Sequence, residues 1–188
     1  MVEAYCGPAP QPSQLLSAWN ADVTALALCA MLIAAHVVSG SRSGRLPLSL
    51  AVALLLVLFV SPLCALTVSL FSARAVHHVL LVAVAAPLLA LAFPQHEAGK
   101  RLSLVWPVAL HAGVLWLWHV PDVYAVAIAG ALPYWAMQAS LLGTASLLWR
   151  RVLASGSLGA ALLALLATVI QMGMLGALLT FARAKALQ

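Results

Sequence analysis

Residues 71–93 read FSARAVHHVLLVAVAAPLLALAF, from Phe71 to Phe93. The hydrocarbon core of a bilayer is roughly 30 Å thick and takes about 20 apolar residues of helix to cross, and the part of this stretch from residue 73 onward meets that length. The stretch opens with Arg74, His77 and His78. Such side chains are costly where a helix meets lipid, and at that depth they mark functional sites by default. One passage therefore decides the class of the protein, a membrane-embedded helical chain, and says where to look for its chemistry.

The rest of the chain agrees. It has 188 residues, 65% of them apolar and 7% charged, with a mean hydropathy of +1.09, far from the composition of a soluble domain. Six stretches have spanning length: 21–38, 46–67, 73–93, 102–120, 132–149 and 157–182. The intervening segments, such as Ser39 to Arg45 and Pro94 to Arg101, carry the Gly, Ser, Pro and charges that break helices. The expected fold is all-α, a polytopic bundle of six transmembrane helices: residues 1–20 form an N-terminal segment and residues 21–188 the membrane domain. Pro8, Pro10 and Pro12 keep the N-terminal segment out of a stable helix, so it is expected to lie extended across the mouth of the bundle. No basic n-region precedes an apolar core, so no cleavable signal is expected.

Basic residues orient the bundle, because cytoplasmic loops retain Lys and Arg. Arg42, Arg45, Lys100, Arg101, Arg150 and Arg151 fall on one side, and Arg74, Arg183 and Lys185 on the other. Both termini are therefore expected to be periplasmic, in a bacterial plasma membrane. The net charge of +5 reads as topology and contact with anionic lipid. It does not argue for nucleic acid, since no basic patch interleaved with aromatics exists.

With this orientation the polar and soft side chains collect in the outer half. Arg74, His77 and His78 open the third helix there and His119 closes the fourth. Cys64 ends the second, Tyr134 and Gln138 begin the fifth, and Met172 and Met174 lie in the sixth. Adjacent helical residues point about 100° apart, so His77 and His78 do not hold one ion together. Arg74 and His78 share a face four residues apart, where a fixed positive charge keeps the imidazole neutral and able to ligate; the alternative is that Arg74 reaches the interface and pairs with a headgroup or Asp122. His111 lies about 12 Å of rise from His119, too far for one ion, and is expected to hydrogen-bond a neighbouring helix. His36 and His96 read as structural or solvated.

The three cysteines form no C-x-x-C pair. Cys29 is a small apolar filler, whereas Cys6 and Cys64 share the oxidising side and either pair or offer a thiolate. Methionine sulfur suits Cu(I). Gly173 with Ala177 and Gly176 with Thr180 are small-xxx-small pairs expected to allow close helix contact.

The chain resembles the polytopic CtaG family of cytochrome c oxidase assembly factors. The likeness rests on Tyr5-Cys6-Gly7-Pro8-Ala9-Pro10 with Trp19-Asn20-Ala21-Asp22, on residues 71–78 with Ala86-Pro87-Leu88-Leu89, on Leu115-Trp116-Leu117-Trp118-His119-Val120-Pro121-Asp122-Val123-Tyr124, and on residues 173–182, GMLGALLTFA. The resemblance implies a role in maturing a haem-copper oxidase by handling copper on the outer side. His78 and His119 match the family's histidines, and His77 stands where a polar residue is frequent. The family's pattern has His at the place of Arg74 and a His-x-x-Glu-His run at the place of Tyr134 to Gln138, so a copper site here is leaner and suits transfer rather than storage.

Three readings follow. As an assembly factor, the protein presents Cu(I) to an oxidase subunit, with His78 and His119 as ligands, His77 beside them, Met172, Met174 or Cys64 as a soft third, and Arg74, Tyr124, Tyr134 and Gln138 in support; its partners are oxidase subunits, a periplasmic copper chaperone and membrane lipid. As a redox protein, two opposed histidines ligate a b-type haem. As a structural bundle, the polar residues bind one another and the oxidase without metal. An enzyme is not expected, since no nucleophile–base pair, phosphate loop or carboxylate pair appears among four acidic residues. A transporter lacks its usual signs, a discontinuous pair of helices or an inverted repeat.

Overall fold

A computed structural model describes residues 5–40, 42–93 and 103–185, with side chains through Leu178. The expected cytoplasmic loop from Pro94 to Arg101, with His96, lies outside the described residues, as do the side chains of Thr180, Arg183 and Lys185. The fold is all-α. A 3-10 turn, Pro12–Ser17, precedes α1 (Val23–Ser39), α2 (Arg45–Phe59), α3 (Pro62–Ser69), α4 (Phe71–Leu80), a π turn (Leu81–Ala85), α5 (Ala86–Ala92), α6 (Val105–His119), α7 (Pro121–Ile128), α8 (Ala131–Leu153) and α9 (Leu158–Lys185).

Among the described residues two helices are long and apolar enough to cross a membrane, Phe71–Ala92 and Leu158–Leu178. The number rises to four if each of two bent pairs counts as one span: α2 with α3, bent by 48°, and α7 with α8, bent by 116°. At 17 and 15 residues, α1 and α6 are shorter than the 20 or so that a perpendicular crossing takes.

Two stretches read as simple spans are divided. The one at 46–67 breaks at Val60, where Ser61 turns extended and its Oγ accepts from the Leu63 N–H ahead of Pro62, a start suited to proline in a first helical turn. The segment before 132, read as a connection, contains α7. Val120 is extended and Pro121 starts the new helix, because the residue before proline is pushed out of the α region.

The π turn has a cause in the sequence. Pro87 has no N–H, and its ring would crowd the carbonyl four residues back in a regular helix. The turn before it widens, and the Ala86 N–H reaches back five residues to the Leu81 carbonyl. The Val82 carbonyl is thereby left without a backbone donor. Trp149 Nε1, from α8, donates to it at 2.9 Å.

In space α1 packs on α2, α2 on α5, α5 on α8, α8 on α6, and α6 on α9. Lipid is as apolar as leucine, so close packing of small residues rather than water release holds such helices together. Ala51, Ala85, Ala86, Ala92 and Ala145 are completely buried on α2, the π turn, α5 and α8, around Leu55, Leu58, Phe59 and Leu141. The α9 helix sits at the edge. Gly173 and Ala177 are exposed, and a Cβ on Gly173 would meet nothing within 4 Å, so the close contact expected of that pair is not made among the described residues.

Candidate functional site

The first turns of α4 divide their polar side chains between two neighbours. His77 turns toward α2, where its ring meets Phe59 edge-on with centroids 5.1 Å apart, and it is buried. His78, one residue and about 100° on, turns toward the end of α6. Its ring lies 5.6 Å from that of His119, the planes at 82°. Among the described residues these are the two histidines whose rings meet from different helices.

Hydrogen bonding fixes how they are presented. The Nδ1 of His119 lies 2.7 Å from the Leu115 carbonyl. A carbonyl only accepts, so Nδ1 carries the proton and the lone pair is on Nε2, which leaves that nitrogen to ligate. The His78 Nε2 is buried with no hydrogen-bond partner among the described residues. Both imidazoles are carried by helices rather than loops.

Arg74 and Tyr124 frame the pair. The Tyr124 ring stacks over His119 at 6.4 Å and 20°, and the Arg74 guanidinium sits 5.4 Å above the Tyr124 ring. Arg74 Nε and Nη2 donate to the Thr67 carbonyl at 3.1 and 2.9 Å. That carbonyl is in the last turn of α3, where helix geometry supplies no donor. Arg74 thus bonds Thr67 rather than Asp122, and with its contact on the Tyr124 ring it ties α3, α4 and α7 together beside the histidines.

The remaining expected site residues separate from the pair. Cys64 is disulfide-bonded to Cys6, so it offers no thiolate, a correction to its expected place as a soft ligand. Met172 packs partly buried against the core, whereas Met174 is 52% exposed; two residues apart, about 200° of rotation turns one inward and the other out. Tyr134 and Gln138 are held by other partners. The Tyr134 ring stacks under Tyr5 at 4.1 Å, and Gln138 lines a groove beside α1. His111 pairs with a neighbouring helix as expected: its Nδ1 lies 2.9 Å from Thr144 Oγ1, which itself donates to the Ser140 carbonyl. His36 is buried edge-on to Phe93 at 5.8 Å. Among the described residues no group of three His, Cys, Asp or Glu could hold one metal ion.

Sequence reasoning did not find the N-terminal strap as a built structure. Tyr5 donates to the Asp22 carboxylate and accepts from Trp135 Nε1 at 2.8 Å, Asn20 N–H donates to the Val60 carbonyl at 2.9 Å, and the disulfide closes beneath them. Burial, and then the bond to Asp22, push the Tyr5 phenol up from its ordinary value. For Asp22 burial works the other way, but donation from Tyr5 and the backbone N–H groups of Ala25 and Thr24 outweighs it and holds the carboxyl below its ordinary value. The signal was present in Tyr5-Cys6 and Trp19-Asn20-Ala21-Asp22, aromatic and capping residues that a disordered leader does not need.

The family described as cytochrome c oxidase caa3 assembly factor (Caa3_CtaG) matches residues 45–187, from α2 to the end of α9. The chain belongs to this family. The match includes α4, α6 and α7, and with them Arg74, His78, His119 and Tyr124; the strap and α1 precede it. No curated protein and no solved structure matches the chain. This family member is thus a helical membrane protein of cytochrome c oxidase assembly, with a pair of histidines where two of its helices end.

Proposed function

We propose that the protein assists maturation of a haem-copper oxidase by taking Cu(I) as cargo at His78 and His119 and passing it to an oxidase subunit on the periplasmic side, without catalysing a reaction of its own. The observation that carries this reading is the approach of the two rings to 5.6 Å, with the His119 tautomer set by the Leu115 carbonyl. Two neutral nitrogens suit a monovalent d10 ion that tolerates low coordination. A structural zinc site would close a tetrahedron of four ligands. An under-coordinated ion leaves readily, which is what handover needs.

The proposed topology is six spans with both termini periplasmic, α1 and α6 crossing in addition to the longer elements. The excess of Arg and Lys on the opposite side supports it. So does the Cys6–Cys64 disulfide, since such bonds persist in oxidising compartments. Oxidase subunits and a periplasmic copper chaperone are the proposed partners.

The deciding experiment replaces His78 and His119 together with Ala and measures oxidase activity, protein level and rescue by added copper. Loss of oxidase activity at normal protein level, restored by copper, supports delivery. The scaffold reading is favoured by the absence of a third His, Cys, Asp or Glu beside the pair among the described residues, and it predicts undiminished oxidase in the double variant. A Soret band in the purified protein would replace copper with haem.

A further inference from the structure

Two imidazoles do not by themselves choose a copper ion of one charge. Imidazole nitrogen suits zinc as well as copper, and among first-row divalent ions Cu(II) binds such donors most tightly. The thiolate that would tip the choice toward Cu(I) is not on offer, since Cys64 is bonded to Cys6. What stands beside the pair is a fixed positive charge. The Arg74 guanidinium is 5.4 Å from the centre of the Tyr124 ring, and that ring is 6.4 Å from the ring of His119, so the charge lies no more than about 12 Å from the imidazole, near enough for its Coulomb energy to count. Arg74 is also four residues before His78 on α4, which puts both on one face. Its hydrogen bonds go to the Thr67 carbonyl, a neutral acceptor. Among the described residues no carboxylate joins the two histidines to offset it, and the carboxylate of Asp22 is taken by Tyr5 and the first N–H groups of α1.

We infer that Arg74 is the specificity-determining residue of the pair, admitting a monovalent ion at His78 and His119 and turning divalent ions away; the inference rests on the copper reading above. Two unit charges about 12 Å apart, at an effective dielectric constant of about 20, repel by an energy that amounts to about tenfold in binding. An ion of charge +1 meets that factor once and an ion of charge +2 meets it twice. The guanidinium therefore weakens both, but weakens Cu(II) and Zn(II) about tenfold more than Cu(I). The loss that Cu(I) does suffer suits an ion that has to leave again. Arginine fits the task because it stays charged at every pH a protein meets, so the selection does not fade as the medium changes. The bonds to Thr67 and the contact on Tyr124 hold the charge in place beside the site.

The test loads the full chain with copper in detergent, reads the reduction potential of the bound copper by redox titration, and reads Zn(II) affinity by competition with a chelator. A tenfold change in relative affinity for Cu(I) and Cu(II) moves a one-electron couple by about 59 mV. Arg74→Gln is expected to lower the potential by about that amount and to raise Zn(II) affinity about a hundredfold. Arg74→Lys, which keeps the charge and gives up the planar fork, should hold both near wild type. A second variant leaves Arg74 and its bonds in place: Phe71 is 62% exposed and three residues before Arg74 on the same helix face, so Phe71→Glu sets an opposing charge beside the guanidinium and should lower the potential too. Unchanged potentials in Arg74→Gln and Phe71→Glu overturn the inference and leave the copper reading standing. So does a fall in Arg74→Lys as large as that in Arg74→Gln, or weaker binding of every ion in Arg74→Gln, since either outcome makes the role of Arg74 structural. Copper binding by wild type no greater than by the variant with both His78→Ala and His119→Ala removes the copper reading, and this inference with it.

Discussion

Two histidines of one helix illustrate what a single residue's surroundings decide. His111 and His119 both lie in α6, but His111 is held by Thr144 Oγ1 at 2.9 Å and is 1% exposed, while His119 ends the helix against His78 and under Tyr124. His119→Ala is therefore expected to lower oxidase maturation several-fold at normal protein level. His111→Ala should act through folding, with protein level and oxidase falling together, because it leaves a cavity where a fully buried ring packs and removes that ring's bond to Thr144, a loss of about 1–3 kcal/mol. Immunoblot and oxidase assay on the same membranes check this, and equal activity loss at normal level in both variants removes the paired-histidine site. The separation of His119 from His111 was legible from the rise per residue alone. What was not legible was the company each keeps: nothing in the order of residues says that Arg74 will reach the Thr67 carbonyl instead of Asp122, since that bond exists only because α3 ends where α4 begins.

At the scale of the element, the third span was readable to within a residue or two at its start, Phe71 rather than 73, and its π turn was not. A proline inside an apolar run announces that some hydrogen bond is missing, but not which side chain replaces it. Here it is Trp149. In Trp149→Phe the Val82 carbonyl loses its donor at a cost of about 1–3 kcal/mol. In a Pro87→Ala background the backbone regains an N–H, and the same tryptophan change should cost less by about 1 kcal/mol or more. Thermal melts of the four proteins, read as a double-mutant cycle, test the coupling; simple additivity would show that Trp149 does not serve the break. The turn into α2 offers a second case. A Cβ on Gly44 would stand 2.1 Å from the Ala92 carbonyl oxygen and 2.8 Å from the His36 ring. Because the nearer atom is backbone and cannot step aside, Gly44→Ala should lower stability by about 1–3 kcal/mol, visible as a drop in melting temperature, whereas Gly143→Ala should be silent.

For the whole molecule, composition and apolar run lengths were enough to give an all-α membrane protein, and the order of its long helices followed. The breaks between α2 and α3 and between α7 and α8 were missed, because apolarity is counted without regard to direction and both halves of a bent pair are equally apolar. The proposed orientation predicts opposite signals from reporter fusions placed after Arg45 and after Gln188; matching signals would mean an even number of crossings between them. The strap makes a separate prediction. Cys6 and Cys64 are 58 residues apart, and closing a loop of that length stabilises by up to about 4 kcal/mol in the chain-entropy picture. Cys6→Ser should lower the melting temperature, and a reducing agent should shift wild type toward the variant while leaving the variant unchanged. The same closure has a mechanical result for α1, which packs on α2 along its length. Its N-terminal end is fastened by the disulfide and the Asn20 bond to Val60, and its C-terminal end is wedged where His36 meets Phe93 and Gly44 meets Ala92. Clamped at both ends, α1 acts as a beam over the gap beside it, so the spacing between α1 and α8 is set at the anchorages and is held whether or not anything lies between them.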